Sequence, residues 1–243
     1  MAVLDQIVIG SANLYLGADR IRKEIRLGSY DGGYLSGSYY NGAVIGGALA
    51  SKPIPVGGGG YLEVIGLVDP FNIAAGDEPW YLRQALKFGT EVFAGYTLRV
   101  GSVAELEAIA KRLGGVVARQ SDTVRIPPDG APVRPLTAHI LIGEERVHPS
   151  RVGLPNFCCW EDRLYCHPSG HPVIPATGLV QPLGVAWLEV GGSEAWMAKW
   201  LGQSPSDFGM RFNGMPPGLY AVGINTDVGE VVLRRPSACQ VRN

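Results

Sequence analysis

The chain has 243 residues, with 34 glycines, 18 prolines and a formal net charge of -1. The hydrophobic fraction is 46 % and the charged fraction only 18 %. Such a balance excludes a disordered Gly/Pro chain, and without a G-x-y period it excludes collagen. The glycines and prolines therefore mark turns between many short elements.

In chain order, the first element is an apolar strand, Leu4–Ile9, closed by Gly10 and Ser11. A helix from Asn13 to about Leu27 follows, with Gly28 at its end. Strands are predicted over Ser38–Ile45 and Tyr61–Val68. The same grammar restarts at Gly95–Val100, with Gly101 and Ser102, a helix Val103–Leu113, and Gly114. Strands are then predicted over Gly115–Arg119, Thr137–Ile142 and Asn156–Trp160. A third start runs Gly184–Val190, then Gly191, Gly192 and Ser193, a helix Glu194–Leu201, and Gly202. Its strands are Phe208–Phe212, Leu219–Ile224 and Glu230–Leu233. Each serine is placed to cap a helix by accepting a backbone N–H. Each closing glycine suits the left-handed end of a helix. The reading is an α+β protein of three βαβββ units, over residues 1–90, 91–180 and 181–243.

Function classes narrow on the same evidence. The densest basic run is Arg20–Lys23 with Arg26, which is one helix face and no stripe for nucleic acid. No apolar stretch approaches the roughly 20 residues of a membrane span. Met1–Asp5 has no basic run before an apolar one, so no secretory signal is expected. The four cysteines, Cys158, Cys159, Cys166 and Cys239, match neither a disulfide framework nor a zinc spacing. A cytoplasmic protein is expected. The run Gly57–Gly60 precedes a strand, whereas a phosphate cradle opens a helix.

The order of these pieces resembles the vicinal oxygen chelate superfamily, and within it the larger glyoxalase-like domain proteins. Their opening Leu-Asp-His strand is matched by Leu4-Asp5-Gln6, and Asp-Leu by Asn13-Leu14. Thr-His-Asn and Tyr-Leu-Glu are matched by Tyr39-Tyr40-Asn41 and Tyr61-Leu62-Glu63. Arg125 to Gly130 carries the Pro-Asp-Gly turn, and Pro155 to Trp160 precedes His167-Pro168-Ser169. The resemblance implies that units one and two pair into a cupped sheet holding the site. It implies that the third packs on them or serves a homodimer contact.

The resemblance also implies metal ligands at Gln6 and Glu63, from the first and last strands of unit one. Unit two falls short, with Gly95-Tyr96 and Cys158-Cys159 where ligands are expected. A bound divalent metal and a metal-free site both stay open; a thiolate donor would favour zinc. Glu63, His139 and Cys159 are the candidate catalytic residues, and Tyr40, Tyr96 and Trp160 the candidate substrate contacts. His139 sits among apolar strand residues, either as a core histidine or as an acid–base group. Cys158 and Cys159 are adjacent, so one faces inward and the other outward. The implied activity is lyase or isomerase chemistry by proton transfer on a carbonyl-containing or enolisable small molecule. The alternative is a protein that only binds and sequesters such a molecule.

Overall fold

The computed structural model describes residues 2–36, 49–69, 79–120, 124–125, 137–160, 167–170 and 177–239. Strand β1 (Val3–Ser11) leads into helix α1 (Leu14–Ile25). The cap is Asn13, whose side chain accepts the Leu16 N–H, while Ser11 donates to the Asn13 carbonyl. The helix ends at Arg26 in the left-handed conformation, before Gly28 is reached. Strands β2 (Gly33–Ser36), β3 (Leu49–Gly57) and β4 (Gly60–Leu67) follow. The expected strand at 38–45 lies outside the described residues.

Helix α2 (Trp80–Phe88) and strand β5 (Val92–Arg99) come next. Helix α3 (Val103–Leu113) is capped by Ser102, which accepts the Glu105 N–H, and closed by left-handed Gly114. The unit continues with β6 (Gly115–Gln120), β7 (Val124–Arg125), β8 (Thr137–Ile142) and β9 (Asn156–Trp160). The last unit is β10 (Pro182–Gly191), α4 (Glu194–Leu201), β11 (Met210–Phe212), β12 (Gly218–Thr226) and β13 (Gly229–Arg234). Ser193 caps α4 and left-handed Gly202 ends it.

Strand β3 and helix α2 have no counterpart in the sequence reading. Pro53 and Pro55 argue against a strand at β3, since proline cannot donate to a ladder. The structure resolves the conflict by orientation. The Pro53 carbonyl accepts the Tyr30 N–H, so the side of β3 on which Pro53 and Pro55 lack donors faces away from β4. The β3–β4 ladder loses nothing there.

Nine strands form one sheet in the order β6-β8-β9-β5-β1-β4-β3-β2-β7. Units one and two contribute alike. Each pairs its first strand in parallel with its last, β1 with β4 and β5 with β9, and β1 meets β5 antiparallel in the middle. The sheet must curl. Eight inter-strand steps of roughly 4.8 Å would set the edges of a flat sheet about 38 Å apart. Yet β6 and β7, at opposite edges, are joined by residues 121–123 alone. The chain from Gln120 to Val124 spans at most about 14 Å, so the sheet is a cup.

The expected third unit, β10 to β13, forms a sheet of its own and does not repeat the pairing of the first two. Its sheet runs β11-β10-β12-β13, with β10 parallel to β11 and antiparallel to β12. In the first two units the first strand neighbours the last; here it neighbours the short strand that directly follows the helix. The unit packs β10 against β3 and β12 against β5. Beyond it, the backbone of Phe93 in β5 bonds Pro236 and Ala238, an isolated bridge that ties the C-terminal segment to the first sheet.

Alternation along the strands sorts the two faces. Ile7, Ile9, Leu62, Val64, Leu98 and Phe157 lie on the face packed with α1, α3 and the third unit, in one apolar core. On the other face, Tyr81, Leu82 and Ala85 of α2 cover Ile65, Val92 and Ala94. The rest of that second face carries the polar residues.

Candidate active site

The strand registers line up a polar row on the concave face. Gln6 stands beside Tyr61 and Thr97, and Thr97 beside Asn156. Arg99 stands beside Cys158, and Cys158 beside His139. Glu63 lies two residues beyond Tyr61, on the same face of β4. Its carboxylate is 2 % exposed and accepts a hydrogen bond from Gln6 Nε2.

A second cluster centres on Asp5, fully buried. The β1–β5 register slips between Leu4 and Gln6, which makes Asp5 the extra residue of a bulge. Bulges re-aim side chains, and this one brings the Asp5 carboxylate to the polar face. Asp5 Oδ1 accepts from Arg99 Nη1 at 2.6 Å and pairs with His167 Nε2 at 2.9 Å. Asp5 Oδ2 accepts from Trp160 Nε1 at 3.0 Å and lies 3.6 Å from Cys158 Sγ. Burial works to raise the Asp5 pKa. The hydrogen bonds from His167 and the Trp160 indole and the charge of Arg99 outweigh it, so the carboxyl sits below its ordinary 3.8.

His167 reaches this cluster from a single helical turn, Pro168–Gly170. The Tyr30 hydroxyl donates to the Pro168 carbonyl at 2.6 Å and fixes the turn against unit one. His167 Nδ1 accepts the Ser169 N–H, which assigns the ring proton to Nε2, facing Asp5. The ring packs edge-on against Trp160 and Tyr61, with centroids at 4.9 and 5.4 Å. Tyr61 thus connects the Asp5 cluster with the Gln6–Glu63 pair two residues along.

A third group is neutral. Asn156 Oδ1 accepts the N–H groups of Ile140 and Phe157, which turns its amide nitrogen to His148 Nε2 at 2.6 Å. Burial, with neighbouring His139 adding to it, pushes His148 down to about 3. His139 is pushed down to about 4 by burial, with Asp5 opposing. Both imidazoles are uncharged at pH 7.

The expected site residues are therefore divided. Gln6 and Glu63 meet, and Trp160 joins the Asp5 cluster. His139 lies on the same face but four strands from Glu63, roughly 19 Å along the sheet. Cys159 points to the opposite face, into the apolar core; Cys158 is the inward cysteine. Burial, with Asp5 adding to it, holds the Cys158 thiol well above its usual range, so it is protonated. Tyr96 also faces the core, its hydroxyl 3.9 Å from the sulfurs of Met197 and Met210. Tyr40 lies outside the described residues. Asp5 and Arg99 were not singled out by the sequence as site residues, and His167 entered only through the His167-Pro168-Ser169 match. The available signal was a lone charge inside each of two apolar strands, Leu4–Ile9 and Gly95–Val100.

Gln6 gives its amide nitrogen to Glu63 and keeps its amide oxygen, the atom that would ligate an ion, but no three His, Cys, Asp or Glu side chains among the described residues are placed to hold one. Among the described residues no helix is long and apolar enough to cross a membrane.

The family model described as a glyoxalase-like domain matches residues 4–201. A hypothetical protein from Staphylococcus aureus has a similar structure, with 11 % identity and a TM-score of 0.53 over 98 % of this chain and 86 % of that one. Methylmalonyl-CoA epimerase from Mycobacterium tuberculosis aligns at 11 % identity and a TM-score of 0.37, over 65 % of this chain and 86 % of that one. A Streptomyces coelicolor methylmalonyl-CoA epimerase, in complex with 2-nitronate-propionyl-CoA, aligns at 12 % identity and a TM-score of 0.40, over 66 % and 96 %. No curated protein matches the chain.

Proposed function

The chain belongs to the glyoxalase-like domain family, and on that footing we propose that it is a small-molecule enzyme of the isomerase or lyase type. It would take a proton from the carbon beside a carbonyl group. The observation that carries this reading is Glu63, a carboxylate 2 % exposed on the concave face and oriented by Gln6. A carboxylate held in a fixed position with little water around it is suited to general-base work. Gln6 holds the Glu63 carboxylate in place through one of its oxygens. No step here needs a metal. His139, neutral and four strands away, is a structural member of the face, and Glu63 is the proton acceptor.

The test is proton exchange. The protein is incubated in D2O with 4-oxopentanoate and with neutral ketones, and deuterium entering beside the carbonyl is followed by NMR. The expected result is catalysed exchange that Glu63→Gln lowers by about 100-fold or more, the usual worth of a positioned base. Exchange that survives in Glu63→Gln would remove Glu63 from the role. The rival reading, a protein that only binds, is favoured by the aromatic rings of Tyr61, Trp160 and His167 grouped on the same face. Binding without exchange in the wild-type protein would assign the cup to it.

A further inference from the structure

Arg99 is spent on one side only. Its Nη1 serves Asp5 at 2.6 Å, approaches His167 Nε2 at 3.1 Å, and reaches the Gly59 carbonyl at 3.4 Å. Its Nε and Nη2 make no hydrogen bond among the described residues, although the side chain is only 9 % exposed. Neither atom is sealed from solvent-sized space. A guanidinium whose remaining edge is unpaired and nearly buried is a costly arrangement unless something accepts from it. Asp5 does not consume the whole charge. It is also served by Trp160, His167 and Cys158, so Arg99 keeps positive potential on its open edge.

We propose that the open edge of Arg99 anchors a carboxylate carried by the molecule the cup takes. This rests on the concave face being the site. The Nε–Nη2 edge presents two parallel donors in a plane, which match the two oxygens of a carboxylate. A phosphate dianion fits less well, because a second negative charge would be brought toward Asp5 and Glu63, which face the same side of the sheet. The anchor also sits at a useful remove from the base. Gly59, touched by Nη1, stands four residues before Glu63, so anion and base are on the order of 10 Å apart along the sheet. The substrate is then a keto acid or a related carboxylate whose reacting carbon lies several bonds from the anion.

The experiment uses the full chain with 15N-labelled arginine. It is titrated with 4-oxopentanoate, its methyl ester, and inorganic phosphate. The Arg99 Nε–H signal is expected to move with 4-oxopentanoate and to stay with the ester. Arg99→Lys keeps a charge for Asp5 but loses the planar fork, and is expected to bind 4-oxopentanoate about tenfold more weakly or worse. Its urea midpoint should stay near the wild-type value; if the variant unfolds, the wild-type arginine signal alone decides. A still Arg99 signal, equal affinity for the ester or for phosphate, or undiminished binding by a folded Arg99→Lys overturns the proposal. Glu63→Gln separates it from the catalytic reading. That variant should bind 4-oxopentanoate within about twofold of wild type while losing exchange, so an absent exchange activity leaves the anchor standing.

Discussion

Asp5→Asn is the sharpest probe of how the concave face is held. The substitution keeps the shape and one acceptor oxygen but removes the charge opposite Arg99. In the native protein the carboxylate accepts from Arg99 and His167 on one oxygen and from Trp160 on the other, at 2.6, 2.9 and 3.0 Å. Hydrogen bonds to an ion are worth about 1.5–3 kcal/mol each, but part of that repays the cost of burying the charge. Breaking one side of a buried ion pair leaves the other unmatched, at about 3–5 kcal/mol. Asparagine retains one acceptor, so the expected loss is about 3 kcal/mol, near the low end. Urea unfolding at pH 7, followed by tryptophan fluorescence, should show the midpoint fall with the slope unchanged. Adding Arg99→Met should recover part of the loss, since it removes the stranded charge. A loss under about 1 kcal/mol, the value of an exposed pair, would refute the reasoning. The pH dependence carries the same sign. The folded Asp5 pKa lies below the unfolded 3.8, so its contribution is full above that value and is lost as pH falls through the folded one. Asp5→Asn should lack that acid-side loss.

The two buried imidazoles make a separate prediction at higher pH. Folding lowers His139 to about 4 and His148 to about 3 from 6.5, so their stabilising effect is complete above pH 6.5 and drains as pH falls from there. Each should contribute a slope of about 1.4 kcal/mol per pH unit, and His148→Gln should roughly halve the combined slope in urea midpoints taken at falling pH. Gly95→Ala tests the turn Pro149–Val152, because a Cβ built at Gly95 would overlap the Ser150 hydroxyl and Gly95 holds a φ of +152°. A loss of about 2 kcal/mol is expected by urea unfolding, relieved in part by Ser150→Gly.

Periodicity and caps made most elements legible. Ser102 and Ser193 cap α3 and α4, and Gly114 and Gly202 end them, because a local hydrogen bond and a local left-handed residue decide a helix end. Asn13 displaced Ser11 by the same local rule, two residues closer to α1. Strand β3 was hidden by Pro53 and Pro55, whose harmlessness depends on which side of the strand they face, a fact of pairing and not of composition. The Gln6–Glu63 pair was reachable through the family resemblance. The Asp5–Arg99–His167 cluster was not, since it gathers residues 5, 99 and 167 and turns on a bulge that no local pattern announces. Cys158 and Cys159 show the same limit: alternation says that they face opposite ways, and only the sheet says which way is in.

The link between β6 and β7 bears on how the cup can move. The ladder that joins β7 to β2 is only two residue pairs long, so by itself it would be easily parted. Even with those pairs broken, residues 121–123 hold the two margins within about 14 Å of each other. The wall therefore behaves as a hoop: it can flex, but it cannot unroll.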